Sequence, residues 1–346
     1  MQCIDMASYV CRPLWSSGLF PLQIIGQSIR DKVKIIHIQF EFVTFGSFYT
    51  SLFIVPFLLL LKLLHLKTVI TLHGPIFPRN APSDMINLLR PANTKVPLTI
   101  IKLYIISTYV LMSKLSSAII VHGQCFKKWL SAYGIKNCHV IPHGMMESKE
   151  VCTTLSSGMR VASRNILFFG VLSPRKGLEY LLQAFAEVLK EKNDITLIIA
   201  GDEPPYYRGY KKKLVSMAYD FGIKNKVVFT GYLNDDRVDE LFRQADIVVL
   251  PYPYSVSASG PLSLAVQYGK PVIATATEFF SEELDNGKTA LLVQERNSED
   301  LAKAIKVLIA DESLRRRLAE NIRLIAREKS WKKVAQETFE LYQSLF

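Results

Sequence analysis

Acidic side chains are scarce in the first half of this sequence: residues 1–150 hold 6 Asp and Glu against 15 Lys and Arg, whereas residues 151–346 hold 25 against 27. The halves thus carry +9 and +2 of the total net charge of +11. A basic, aromatic-rich half suits nucleic acid, an anionic membrane face or a phosphate-bearing substrate. No RNP, helix-turn-helix or zinc-finger pattern accompanies the charge, so nucleic acid is set aside as a partner. Cysteine is also sparse. Cys3, Cys11, Cys125, Cys138 and Cys152 are scattered, odd in number and without a C-x-x-C pair. That argues against a disulfide framework and a zinc site, and fits a reducing, cytoplasmic setting. A signal peptide is not expected, because Asp5, Arg12 and Pro13 interrupt the first apolar patches. The most apolar stretch, residues 42–66, is broken by Pro56 and Lys62 and falls short of the roughly 20 residues a spanning helix needs. It predicts a buried or interfacial helix, with peripheral contact at the inner membrane face. Finally, no Gly-x-Gly-x-x-Gly with a downstream acid is present, which argues against a dinucleotide oxidoreductase.

What is present fills 346 residues, 49% of them hydrophobic, enough for two cores. In the first half, residues 33–40 and 68–72 read as buried strands. The second delivers His73-Gly74-Pro75 at its carboxyl end, where an imidazole is either a strand cap or a group exposed for chemistry. Residues 1–32 have no clear period, and residues 76–95, with Pro78, Pro82 and Pro91, read as a long loop. A helix over 98–116, a strand over 118–121, a helix over 124–133 and a strand over 139–141 follow. Boundaries are expected at 1–150 for the first domain, 151–163 for a linker and 164–346 for the second domain.

The second half alternates strands and helices more cleanly. Strands are expected at 166–169, 196–200, 227–230, 247–250 and 272–274. Helices are expected at 177–191, 207–221, 235–244, from Ser259-Gly260-Pro261 onward, and at 298–309, 311–328 and 331–345. This spacing predicts a doubly wound parallel sheet, an α/β fold. Ser259 is the N-cap candidate of its helix, with proline in the first turn. Lys211, Lys212 and Lys213 read as a solvated helix face.

The stretch Asn165 to Gly177 is the main candidate site. An apolar run stops at Gly170, and a loop with Pro174, Arg175 and Lys176 opens the next helix. Open α/β sheets bind ligands at the carboxyl ends of their strands, and two cations beside a helix N-terminus favour an anion. The loop reads either as a solvated turn or as a diphosphate site. It is not a P-loop, since no Gly-Lys-Ser/Thr follows the strand.

In order, the chain then presents Gly170…Lys176-Gly177, Gly201-Asp202, Phe229-Thr230-Gly231, Ala245-Asp246, Leu250-Pro251 and Gly269-Lys270-Pro271-Val272-Ile273-Ala274. Together with His73-Gly74-Pro75 and Pro142-His143-Gly144 in the first half, these resemble the retaining GT-B glycosyltransferases of family 4, the glycosyl transferases group 1. The resemblance implies two Rossmann-like domains facing each other across a cleft, the acceptor held by the first and the nucleotide sugar by the second. By the same resemblance, Lys176 binds the donor diphosphate with Arg175 as a second cation. Gly170 and the turn Ser259, Gly260, Pro261 and Leu262 line the phosphates, Gly231, Tyr232 and Leu233 hold the base edge, and His73 touches the transferred sugar. Lys176 and His73 are the catalytic candidates. No metal and no cofactor is implied beyond the nucleotide-diphosphate sugar as co-substrate.

The sequence departs from the family pattern in three places. Val171 follows Gly170 where arginine is frequent. The Glu-x7-Glu positions fall near Val256 and Leu264, neither of which can accept a hydrogen bond. The usual first strand and glycine-rich loop are not evident in residues 1–32, which implies a truncated or reduced first domain. The expected activity is hexose transfer, with retention, to a glycan, glycolipid or lipid-linked saccharide. The rival readings are a non-catalytic GT-B partner or scaffold and a GT-B nucleotide-sugar epimerase.

Overall fold

The computed structural model describes residues 20–42, 51–77, 83, 86, 95–146, 164–254 and 258–346. The chain divides into two compact units, the first made of residues up to Ile120 with Leu130–His139, the second of Val121–Trp129 with Val140–Ser344. The proposed linker, 151–163, lies outside the described residues, as does Val256.

The first unit opens with helix α1 (Phe20–Arg30), in a stretch where the sequence showed no period. Strands β1 (Ile35–Phe40), β2 (Lys67–Leu72), β3 (Ala118–Val121) and β4 (Cys138–Val140) stand side by side in that order. β1 and β2 run parallel in the register Ile35↔Lys67 to Phe40↔Leu72. Between β1 and β2 lies helix α2 (Ile54–Leu63), and between β2 and β3 lies helix α3 (Leu98–Leu115). Right-handed crossovers in one direction put both helices on one face of the sheet, and the two pack on each other. Ser51 and Tyr104 share a hydroxyl hydrogen bond of 2.8 Å near one end of the pair. At the other end the Lys62 ammonium donates to the Lys114 carbonyl at 2.8 Å, so the helices run parallel. The core here is Ile54, Phe57, Leu58 and Leu61 of α2 with Ile101, Ile105, Tyr109 and Met112 of α3. Helix α4 (Gln124–Ser131) follows β3, and its residues up to Trp129 count with the second unit.

The second unit carries a six-stranded parallel sheet built from β5 (Arg164–Phe169), β6 (Ile195–Ala200), β7 (Val227–Gly231), β8 (Ile247–Leu250), β9 (Val272–Thr275) and β10 (Leu291–Val293). Their spatial order is β10-β9-β8-β5-β6-β7. The chain lays down three strands in one direction, returns to the middle, and lays down three in the other. The reversal falls between β5 and β8, which is the switch point of a doubly wound sheet.

Helices α5 (Leu178–Leu189), α6 (Tyr210–Asp220), α7 (Asp235–Gln244), α8 (Gly260–Gln267), α9 (Glu278–Glu283), α10 (Ser298–Ala310), α11 (Glu312–Glu328) and α12 (Trp331–Gln343) connect and flank these strands. α5 shows why periodicity found it: Leu178, Leu181, Leu182, Phe185 and Val188 are fully buried along one stripe. The last six helices each begin with a side-chain cap. Asn234, Ser259, Thr277, Asn297, Asp311 and Ser330 each accept a hydrogen bond from the backbone N–H three residues on. Each such cap contributes about 1 kcal/mol and fixes where its helix starts. α9 and β10, at six and three residues, were absent from the sequence expectation.

The Pro142-His143-Gly144 turn also gains a physical reason. A Cβ on Gly144 would lie 2.3 Å from the Trp331 ring, so only glycine lets the chain pass the start of α12. His143 stands edge-on to the same ring at 5.4 Å.

Candidate functional site

The residues singled out in the second half converge at the carboxyl ends of β5, β6, β7 and β8. Gly170, with φ +140°, ends β5, and its N–H donates to Ala200 at 2.9 Å. Gly201 follows β6 and passes so close that a Cβ on it would lie 1.9 Å from the Gly170 carbonyl oxygen. Its own N–H donates to the Gly231 carbonyl at 3.1 Å. The ends of three neighbouring strands are therefore stitched through Gly170, Gly201 and Gly231. On the other side of β5, a Cβ on Gly170 would meet Pro261 Cγ at 3.5 Å, which sets the first turn of α8 against the end of β5.

The loop after Gly170 closes back on the β8 end. Pro174–Lys176 form a single 3-10 turn, and Gly177, at φ +66°, sits where a Cβ would be 1.9 Å from the Pro251 carbonyl oxygen. This contact brings Lys176 over the β8–α8 loop. The Lys176 Nζ lies 3.8 Å from the centre of the Tyr252 ring. The Tyr252 hydroxyl is 3.3 Å from Ser259 Oγ, the oxygen that caps α8 by accepting from the Leu262 N–H at 3.3 Å. Tyr252 is itself buried and held from behind, since Thr275 Oγ1 donates to its carbonyl at 2.5 Å.

Not every predicted phosphate group is equally open. The Leu262 N–H is taken by Ser259, its side chain is buried, and Pro261 has no N–H, which leaves Gly260 as the exposed residue of the first turn. Arg175 is half-buried, and its Nε is enclosed without a hydrogen-bond partner. The Ser173 hydroxyl, in the same loop, is fully buried and likewise unpartnered. Two unsatisfied polar groups beside Lys176 are costly unless a ligand or water meets them. At the β7 end Tyr232 is 84% exposed and Leu233 half-buried beyond Gly231. Leu264, at the second of the Glu-x7-Glu positions, is half-buried on α8.

Sequence reasoning missed three groups here. Tyr252 stood unremarked in the Leu-Pro-Tyr-Pro-Tyr loop, and Ser173 gave no signal at all. Lys211 was read as part of a solvated lysine face, yet its Nζ pairs with Asp202 at 3.3 Å and lies 3.7 Å from where a Cβ on Gly231 would be. The backbone N–H of Glu203 and the Lys211 ammonium hold the Asp202 carboxyl below its usual range. Lys213 turns away to Glu179 at 3.1 Å, as a solvated face would.

In the first unit, His73 follows β2, and its Nε2 lies 2.7 Å from Gln39 Oε1. Gln39 is in turn 3.3 Å from His37, which bonds the Thr71 hydroxyl at 2.7 Å. His73 thus sits at the end of a polar row on β1 and β2. Burial, helped by the neighbouring His73, lowers the His37 pKa to about 4, so its ring stays neutral at physiological pH. Among the described residues no group of three or more His, Cys, Asp and Glu is placed to hold a metal ion.

Residues 156–324 match the Glycosyl transferases group 1 pattern. An uncharacterized glycosyltransferase of Methanocaldococcus jannaschii is 31% identical over 189 residues, covering 54% of this chain and 47% of the relative. The phosphatidyl-myo-inositol mannosyltransferase of Mycobacterium leprae is 28% identical over 206 residues, covering 59% and 53%. The match thus spans about half the length of these curated relatives. Among solved structures, Anabaena HepE in complex with UDP superposes with a TM-score of 0.73 at 19% identity, covering 94% of this chain and 82% of that one. Sucrose-phosphate synthase from Thermosynechococcus elongatus gives 0.74 at 17% identity, covering 99% and 82%. Residues 156–324 are therefore a glycosyl transferases group 1 domain, in a chain with the GT-B fold.

Proposed function

We propose that this chain is a glycosyltransferase that moves a hexose from a nucleotide sugar to a hydroxyl of a glycan, glycolipid or lipid-linked saccharide. The anomeric configuration is retained and no metal ion is required. One observation carries the reading: Lys176, next to Arg175 in the same turn, rests on Tyr252, whose hydroxyl reaches the Ser259 cap of α8, at the switch point of the six-stranded sheet. That is where a doubly wound sheet takes a ligand, and cations with a helix dipole are what a diphosphate needs. The HepE structures with UDP and with UDP-glucose support a nucleoside diphosphate sugar as the donor.

In the proposed reaction the bond between the anomeric carbon and the diphosphate oxygen breaks, and the acceptor hydroxyl oxygen bonds to that carbon. The hydroxyl proton passes to the leaving diphosphate. Charge grows on the leaving oxygen, and the Lys176 ammonium, the Arg175 guanidinium and the Gly260 end of α8 stabilise it without reorganising. Gly170 lets the phosphates approach the backbone, and Gly231, Tyr232 and Leu233 border the base. His73 is assigned a contact with the transferred sugar. Its imidazole is oriented by Gln39. The setting is cytoplasmic, at the inner membrane face.

The test is the mass of product formed from a panel of UDP- and GDP-sugars with a membrane lipid extract and with soluble glycans as acceptors. A hexose added to one acceptor class supports the proposal. No heat of binding and no product with any donor overturns it in favour of a scaffold, and conversion of the donor sugar without acceptor overturns it in favour of an epimerase.

A further inference from the structure

Helices α2 and α3 are apolar on both sides. One side of each is the core of the first unit, yet the opposite side is apolar too and open to solvent. On α2 the exposed residues include Phe53, just before its start, and Leu59, Leu60 and Leu63, the last 66% accessible. On α3, Ile100, Leu103 and Leu111 are exposed, Leu103 at 65%, and they recur at three to eight residues along one stripe. A surface helix of a soluble protein ordinarily turns charge outward at such positions. Contiguous exposed apolar surface on two adjoining helices marks an interaction site.

The charge around this face selects its partner. Between Glu41 and Glu147 the sequence contains a single acidic residue, Asp84, against ten Lys and Arg. Neither α2 nor α3 contains an acid. Lys114 is exposed and continues the stripe of α3 one turn beyond Leu111. A protein partner would have to bring acids to meet these cations. A bilayer meets both requirements at once, with acyl chains for the leucines and anionic headgroups for the lysines.

We infer that the paired α2–α3 face is a membrane-docking surface that lies flat in the interface of an anionic bilayer. α3 has the length and composition of a spanning helix. Its other side argues for lying in the interface: Ile101, Ile105, Thr108, Tyr109 and Met112 are buried within the unit. The Tyr109 hydroxyl accepts from the Ile76 N–H at 2.9 Å, inside the fold. Extracting α3 to span would break that core. This docking surface is independent of the transfer reaction proposed above, and its test reads binding only.

Co-sedimentation of the full chain with phosphatidylcholine vesicles, with and without phosphatidylglycerol, provides the test. Binding is expected only to the anionic vesicles and to fall as salt rises. Lys114→Gln should weaken it about fivefold. Leu63→Asp with Leu103→Asp should weaken it at least about tenfold, since each removes a side chain that inserts. Both leucines are solvent-exposed, so thermal midpoints should stay at the wild-type value; the Lys114 variant keeps the proposal testable if the Asp pair does not fold. Equal binding to neutral vesicles overturns the inference, as does retention in the bilayer after alkaline carbonate extraction. So does a self-association, abolished by Leu103→Asp, in a chain that does not bind vesicles.

Discussion

The Lys176 ammonium rests 3.8 Å above the Tyr252 ring, and the hydroxyl of that ring reaches the oxygen that caps α8. One buried tyrosine thus ties the candidate phosphate cation to the candidate phosphate-binding helix. A cation held over an aromatic face gains about 0.5–2 kcal/mol and loses freedom it would otherwise have to lose on binding. Tyr252→Phe keeps the ring and removes the link to Ser259, whereas Tyr252→Leu removes both. The expected order in kcat/KM for donor is wild type, then Tyr252→Phe within about threefold, then Tyr252→Leu lower by about tenfold or more. Equal rates for Tyr252→Leu and wild type would remove Tyr252 as a positioning residue.

Lys176→Ala addresses the cation itself. Lys176 is half-buried, and its Nζ sits on Tyr252. Its removal should lower transfer by more than about tenfold, because the lost charge acts on the leaving diphosphate. The thermal midpoint should hardly move, since a single solvent-touching cation contributes little to stability. Steady-state kinetics beside a melting curve separates the two effects; an unchanged rate would exclude Lys176 from the site.

Much of this site was legible because it is built from local signals. Ser259 before Gly-Pro announced a capped helix, and Gly170 after an apolar run announced a strand end; both hold. What escaped was tertiary. Tyr252 acts on Lys176 only because β5 and β8 are neighbours across the switch point, and no spacing in the sequence encodes that pairing. Lys211 differs from Lys213 only in facing Gly231 rather than Glu179. Helix α1 was hard to place for a different reason: its buried residue is Ser28 while Leu22 and Ile29 are exposed, so its apolar residues do not mark the side that packs.

Gly177 gives a stability test with an internal control. Gly177 and Gly222 have nearly the same backbone, φ +66° and +70°, but a Cβ on Gly177 would be 1.9 Å from the Pro251 carbonyl and one on Gly222 would meet nothing within 4 Å. Alanine at Gly222 bears only the left-handed penalty, about 1 kcal/mol. Alanine at Gly177 must also push the β8–α8 loop aside, and a cost above about 3 kcal/mol is expected. Urea unfolding of the two variants measures the difference. Similar midpoints would mean that the Lys176 loop is not pressed against Pro251.

The His37 ring predicts an acid-side dependence of the first unit. Its folded pKa, about 4, is below the ordinary 6.5 because burial disfavours the charged ring and His73 stands nearby. An imidazole kept neutral in the fold takes up a proton more readily when unfolded, so stability rises with pH between these values. The contribution is fully present above about pH 6.5 and is lost as pH falls toward about 4. Allowing for solvent screening of a half-buried ring, the loss is about 1–2 kcal/mol. His37→Gln keeps a polar group beside Thr71 without a titrating proton. Urea midpoints followed from pH 7 to pH 4 should therefore fall more steeply for wild type than for His37→Gln. Parallel slopes would show that His37 titrates normally and that the polar row from Thr71 to His73 is open to water.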